Sequence, residues 1–257
     1  MNTPIDTEDS QMRVVAYHEI HDVTVNDVYC ITPELFLQHL WTMRDAARDT
    51  LESLVITFDD GHYSNFQFAA PILESTALRG LFFLPSTWIG NRREFMSWDD
   101  VRNLASRGHR IGSHSATHAF LPSCSAAAMY EELAGSRHTL EDRLGAPVTS
   151  ISMPGGRWNE MVLRACALAG YETVYTSEPG FYRPAMDTEQ FRTPAVIGRF
   201  AVQRRTSLRA ISGYAGGDWR TVRRIHSMYQ ARNGVKRLLG DDAYQKLWSH
   251  LFRATPN

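Results

Sequence analysis

A chain of 257 residues with 43% hydrophobic content can fill the core of one large α/β domain, and its formal net charge of −1 gives no global field for nucleic acid, so no nucleic-acid partner is expected. Three scattered cysteines, Cys30, Cys124 and Cys166, form no CxxC pair and no disulfide framework, which suits a reducing compartment. The polar, acidic start MNTPIDTEDSQM lacks a secretory pattern and no segment approaches the ~20 apolar residues of a membrane span, so the expectation is a cytoplasmic protein, at most peripheral to the inner membrane face.

Short β-rich runs alternate with amphipathic helices. In chain order the pattern predicts strand Arg13–Tyr17, helix Pro33–Ala47, strand Ser53–Phe58, helix Asn65–Thr76, strand Gly80–Leu84 and helix Ser97–Arg107. Strand His109–Ser113, helix Ser125–Leu144, strand Thr149–Met153, helix Asn159–Ala169 and strands Glu172–Thr176 and Ala195–Phe200 follow. Thr32-Pro33 supplies an N-cap with proline in the first turn, and Ser97-Trp-Asp-Asp puts acids where the helix dipole favours them. The alternation implies parallel strands joined by right-handed crossovers. Seven such strands close into a barrel like a reduced (β/α)8 barrel or remain a doubly wound open sheet. In both cases ligands bind at the carboxyl ends of the strands.

The tail has another character. From Arg199 to Arg237 there are ten Lys/Arg and one acidic residue, Asp218. Asp218–Arg232 and Asp241–Phe252 read as helices. Val222, Ile225 and Tyr229 line one side of the first, with Arg220, Arg223 and Arg224 largely opposite. Such a helix packs on the barrel with a solvated basic face, or meets phosphate groups or an anionic membrane surface. The boundaries drawn from this shift are a barrel over 1–210 and a basic helical extension over 211–257, packed on the same domain.

Chemistry gathers at strand ends. Val55-Ile-Thr-Phe-Asp59-Asp60-Gly61 runs from an apolar strand into adjacent carboxylates, which repel unless a cation lies near. One Asp can then bind a metal while the other acts as a base. The same residues would also close a strand as an Asx-type turn. Ile111-Gly-Ser-His114-Ser-Ala-Thr-His118 follows another strand, and histidines four apart share one face of a helical turn. With Asp60 they make a two-His, one-carboxylate set suited to Zn²⁺, and also to Co²⁺, Ni²⁺ or Fe²⁺. After a further strand, Pro154-Gly155-Gly156-Arg157-Trp158 brings backbone N–H groups close to a ligand, as an oxyanion site requires, and is also a turn in its own right.

Thr57-Phe-Asp-Asp-Gly61, His114-Ser-x-x-His118 and the later Pro-Gly-Gly segment, in this order and spacing, resemble the polysaccharide deacetylase family, carbohydrate esterase family four, from about Arg13 to Phe200. The resemblance implies a distorted (β/α)7 barrel, here with a C-terminal helical extension. It implies Asp59 as general base and Asp60, His114 and His118 as metal ligands. Two departures stand out. The family's third motif begins with an arginine that orients the base and has an aromatic after the proline, where this chain has Ser152 and Gly155. Arg199 or Arg157 is left to supply the guanidinium. The family's late Leu-x-His motif is absent too, since His226 lies in the basic helix and His250 near the C-terminus. A branch of the family carries the acid histidine in a Tyr-His motif on the first strand, which Tyr17-His18 matches.

The implied reaction is metal-dependent hydrolysis of an acetamide on an N-acetylated saccharide; the start of the chain and its basic tail favour a cytoplasmic saccharide or an intermediate of surface-polysaccharide assembly as that substrate. Pro154, Gly155, Gly156 and Trp158 bind substrate, and Trp88, Trp98 and Tyr182 are further candidates for stacking on sugars. Two other readings share these residues: hydrolysis of a non-sugar amide or cyclic imide, and an inactive sugar-binding module. His18-Glu-Ile-His21 has the wrong spacing for HExxH, and neither GxSxG nor a phosphate-binding glycine loop occurs.

Overall fold

The computed structural model describes residues 12–21, 27–48, 50–180, 182–183, 185–187 and 192–239. Its strands are β1 (Arg13–Tyr17), β2 (Glu19–Ile20), β3 (Cys30–Ile31), β4 (Leu54–Phe58), β5 (Gly80–Leu84), β6 (Arg110–Ser113) and β7 (Ser150–Ser152). Then come β8 (Thr173–Tyr175), β9 (Tyr182–Arg183), β10 (Met186–Asp187), β11 (Arg192–Thr193), β12 (Ala195–Ile197) and β13 (Phe200–Ala201). The main sheet has the order β13-β1-β4-β5-β6-β7-β8-β12-β9, parallel except for β9.

With the short antiparallel edge strand β9 set aside, the two ends of that order meet. Residues 195–201 are one extended segment whose first half pairs with β8 (Val196↔Val174) and whose second half pairs with β1 (Val15↔Phe200). One strand therefore holds both edges, and the sheet curls into a seven-stranded barrel. The expected strand Ala195–Phe200 is interrupted only at Gly198 and Arg199, where the chain passes from one partner to the other.

Alternation along the strands separates two apolar layers. Val15, Tyr17, Ile56, Phe58, Phe82, Leu84, Ile151 and Val174 belong to the large cluster between sheet and helices. Val14, Leu81, Phe83, Tyr175 and Ile197, with Val55 against them, plug the barrel interior. In β6 the inward position is Gly112, because a Cβ there would lie 2.5 Å from the Phe83 ring and 3.1 Å from the Ser150 carbonyl oxygen. Parity therefore predicts which side chains rise above the plug: His18 beyond Ala16, Asp59 beyond Thr57, His114 beyond Gly112, Ser152 beyond Ser150 and Arg199 beyond Ile197.

The helices are α1 (Pro33–Ala46), α2 (Ala70–Ser75), α3 (Trp98–Ser106), α4 (Ala126–Tyr130), α5 (Ser136–Leu144), α6 (Glu160–Leu168), α7 (Leu208–Ala215) and α8 (Trp219–Leu239). Side-chain caps start several of them, from Thr32, Ser97, Ser125, Asn159 and Ser207, and Ser97 forms a reciprocal capping box with Asp100. Two expected helices contain a π-helical stretch, Asn65–Ala69 before α2 and Glu131–Gly135 between α4 and α5. α7 inserts Ile211, Tyr214 and Ala215 into the large cluster and packs beside α1. α8 runs past the expected end at Arg232, with Asn233-Gly234 inside the helix. The expected helix Asp241–Phe252 lies outside the described residues.

Candidate metal-dependent active site

Asp59 and Arg199 form the floor of the site. Both are buried, at 4% and 1% exposure. The guanidinium is bidentate, with Nη1 donating to Oδ1 and Nη2 to Oδ2, each at 2.7 Å. Its remaining donors reach the Thr176 carbonyl at 3.0 Å, Thr57 Oγ1 at 3.2 Å and Ser152 Oγ at 2.8 Å, and the Ser152 hydroxyl donates to Asp59 Oδ2 at 3.2 Å. The guanidinium also sits 5.5 Å from the centre of the Phe83 ring at the top of the plug. Burial pushes the Asp59 carboxyl up, but Arg199, with His114 and His18, holds it well below the usual carboxylate range. Arg157 has a different place, with its guanidinium 4.3 Å from the Phe120 ring centre.

Asp60 leaves the strand parity. It and Gly61 both have φ of +69°, which swings the second carboxylate away from the first and towards the β6 turn. Gly61 is required there, since a Cβ would lie 2.8 Å from Leu84. The expected helical turn at His114–His118 does not form. Ser115 (φ 62°) and His118 (φ 66°) are left-handed, and the Ser115 hydroxyl accepts from the His118 amide. Short hydroxyls take over amides that a helix would have bonded, and this tight turn brings the imidazoles together without helical geometry. Three of the four non-glycine residues with positive φ, among those described, are thus Asp60, Ser115 and His118, so backbone strain is concentrated here.

The resulting triad fits a divalent cation. Asp60 Oδ1 lies 3.4 Å from Nε2 of His114 and 3.4 Å from Nε2 of His118. One ligand atom from each residue falls within 4.8 Å of the others. The Ser152 carbonyl can only accept, so His114 Nδ1 carries a proton and donates it across 2.8 Å. In neutral His114, Nε2 then turns a lone pair towards a carboxylate oxygen that is itself buried without a hydrogen-bond partner. Only positive charge relieves that contact, either a proton or a metal ion. Burial lowers the affinity of His114 for a proton, yet Asp59 and Asp60 outweigh it and raise its pKa, while burial and the His114 charge lower that of His118. Trp88 covers His118 at 5.2 Å between ring centres, and Arg92 lies over Trp88 at 4.1 Å.

His18 completes the pocket from β1, its ring 4.6 Å from that of Tyr29 and its Nδ1 buried without a partner. A protonated ring at that position lowers the pKa of both Asp59 and Asp60. After β7, Pro154 opens a tight turn with Gly155 and Gly156 left-handed. Gly156 cannot offer its amide to a ligand, because that N–H already donates to the Met153 carbonyl at 2.8 Å. Trp158 is half-buried against the main cluster, as is Trp98. The aromatic exposed beside this turn is Phe120, at 41%, whose ring lies 2.7 Å from where a Gly155 Cβ would be. Ser152 and Thr57 were not anticipated as site residues. Their inward parity, two positions beyond Ser150 and Val55, was the available signal.

Residues 47–174 match the family model described as polysaccharide deacetylase. The protein YxkH of Bacillus subtilis (strain 168) is 32% identical over 127 residues, 49% of this chain and 45% of that protein. The chitooligosaccharide deacetylase of Bradyrhizobium sp. (strain ANU 289) is 30% identical over 142 residues, 52% of this chain and 61% of that protein. The chain thus spans about half the length of these curated relatives. Among solved structures, the Streptococcus pyogenes deacetylase PplD in complex with acetate superposes with a TM-score of 0.66 at 19% identity, over 77% of this chain and 95% of that one. That likeness is one of fold, a (β/α)7 barrel.

Removing the guanidinium leaves a buried charge, so Arg199→Ala is expected to lose about 3–5 kcal/mol at pH 7. Asp59 is depressed in the folded wild type, so its contribution is present at neutral pH and lost as pH falls through its folded value. In the variant the carboxyl can protonate instead, and the gap in urea unfolding between the two proteins should narrow towards about pH 3. A gap constant across that range would exclude the ion pair as its source.

Proposed function

The chain belongs to the polysaccharide deacetylase family through residues 47–174, and on that basis we propose that it is a metal-dependent N-deacetylase of an N-acetylated amino sugar. One observation carries the reading: an ionised, doubly held carboxylate, Asp59, beside a two-His, one-Asp set whose Asp60 oxygen lacks a hydrogen-bond partner. A binding module would have no use for an aligned base.

Asp60, His114 and His118 would hold a divalent ion, zinc first and cobalt, nickel or iron as alternatives, which would supply Lewis acidity and acidify water. Asp59 accepts the proton of the attacking water as its oxygen adds to the acetamide carbon. Arg199 and Ser152 keep the carboxylate turned to that task. With Gly156 committed to Met153, the Gly155 amide is the backbone donor assigned to the developing oxyanion. His18 protonates the departing nitrogen as the C–N bond breaks, which releases acetate and a free amine. Phe120, exposed between His118 and Gly155, offers the sugar a stacking face.

The substrate favoured is a saccharide intermediate of surface-polysaccharide assembly, met in the cytoplasm, a setting supported by three free thiols. α8 supports contact with phosphate groups or an anionic membrane face. Val222 and Ile225 pack against the main cluster, while Arg220, Arg223 and Arg224 are exposed beside Trp219 at 62%. No described helix is long and apolar enough to cross a membrane. His226 takes no part in catalysis here, since its Nδ1 bonds the Pro179 carbonyl at 3.1 Å.

Zinc-loaded protein should release acetate from N-acetylated oligosaccharides or nucleotide-linked N-acetylhexosamines. Asp60→Ala should lose both metal and activity. Asp59→Asn should keep the metal while kcat falls about 10²–10⁴-fold. Near-normal turnover by Asp59→Asn would end this mechanism, and stoichiometric metal with no acetate from any sugar would favour a non-sugar amide. His18→Gln should impair acetamide hydrolysis far more than hydrolysis of p-nitrophenyl acetate, whose leaving group needs no proton; equal losses would remove His18 as the acid. Changing Arg220, Arg223 and Arg224 to Gln should weaken co-sedimentation with vesicles containing phosphatidylglycerol and leave neutral vesicles unaffected. Unchanged binding would discard the membrane contact.

A further inference from the structure

A second cluster of metal-binding side chains stands beside this pocket and plays no part in the mechanism above. Glu19 opens β2 and His21 directly follows it, two positions on, which puts both on one side where the strand direction continues. The His21 amide bonds the Ile31 carbonyl at 3.0 Å, so pairing with β3 continues through it. Nε2 of His21 lies 3.1 Å from Glu19 Oε2. His62 arrives from the loop after β4, its backbone bridged to Phe95 and its ring 4.7 Å from that of His21. One ligand atom from each of the three falls within 4.8 Å of the others, and all three are half-buried.

We propose that Glu19, His21 and His62 form a second site for a divalent transition metal, tying β2 to the loop that carries Asp60. Two imidazoles and one carboxylate suit Zn²⁺, Co²⁺ or Ni²⁺ and are a poor match for Mg²⁺ or Ca²⁺, which take oxygen ligands. Ser64 sits behind His62 as an orienting group and can serve either tautomer. Its amide reaches His62 Nδ1 at 3.1 Å, and its hydroxyl oxygen lies 2.9 Å from the same atom. With Nδ1 unprotonated the amide bond is made and Nε2 carries the proton. With Nδ1 protonated the hydroxyl accepts it, and Nε2 presents a lone pair to the cation. The metal selects the second form at the expense of the Ser64 amide bond, so this site binds more weakly than the one at Asp60. The ion would hold His18, at the start of β2, against the Asp59-Asp60 strand end.

Metal content after equilibrium dialysis against Zn²⁺ tests the assignment and needs no substrate, so failure of the deacetylase reading would leave it standing. Wild type should hold two equivalents, and Asp60→Ala and His21→Ala one each. The double variant should hold none. Zn²⁺ should also raise the Tm of Asp60→Ala but not that of Asp60→Ala/His21→Ala. Glu19→Gln, which preserves shape, provides the same count should His21→Ala fail to fold. A single equivalent in wild type, lost in Asp60→Ala and untouched by His21→Ala or Glu19→Gln, would overturn the proposal and leave Glu19 and His21 simply in contact with each other beside His62.

Discussion

Arg199 grips Asp59 across a gap of 140 residues in sequence, with both partners buried. Burying that pair costs several kcal/mol of desolvation per ion, so its geometry has to be nearly ideal. Two parallel bonds of 2.7 Å, and further partners for the guanidinium in Thr57, Ser152 and Thr176, meet that demand. Ser152 then links the pair to the Asp60, His114 and His118 cluster, since its carbonyl fixes the tautomer of His114. The same contact that aligns Asp59 also weakens it as a base, because a carboxylate held this far down has little affinity for a proton. Such a base suits water already acidified by its surroundings and would serve poorly with ordinary water.

The fold was largely legible. Six strand expectations match the structure within a residue at each end, because parallel strands buried on both faces read as dense apolar runs bounded by turns. The seventh was expected as one strand and serves as two half-strands, since local pattern carries no record of which neighbour a residue pairs with. The π-helical stretches carry no comparable signal, because five residues are too few to show a periodicity of their own.

The site was legible by motif and less so by geometry. His114 and His118 were expected on a helical turn and converge through a strained, left-handed loop instead. Spacing alone says that two side chains can meet, not by which backbone path. Arg199 stood beside Arg157 as a candidate because position relative to a motif was the criterion. Inward parity beyond Ile197 separates them, and it also finds Ser152 and Thr57. Gly155 and Gly156 looked equivalent in sequence, yet a single turn bond to Met153 occupies one amide.

The closing strand has a consequence for biosynthesis. Domains emerge from the ribosome amino terminus first, at roughly 5–20 residues per second. Asp60, His114 and His118 are all synthesised while β1 has only β4 beside it, because Val15 waits for Phe200 on its other edge. A nascent chain therefore carries those three side chains before Arg199 has been made, with Asp59 present but unaligned. Barrel closure and the alignment of Asp59 arrive in the same event, so an incomplete polypeptide carries the cluster without the ion pair that forms its floor.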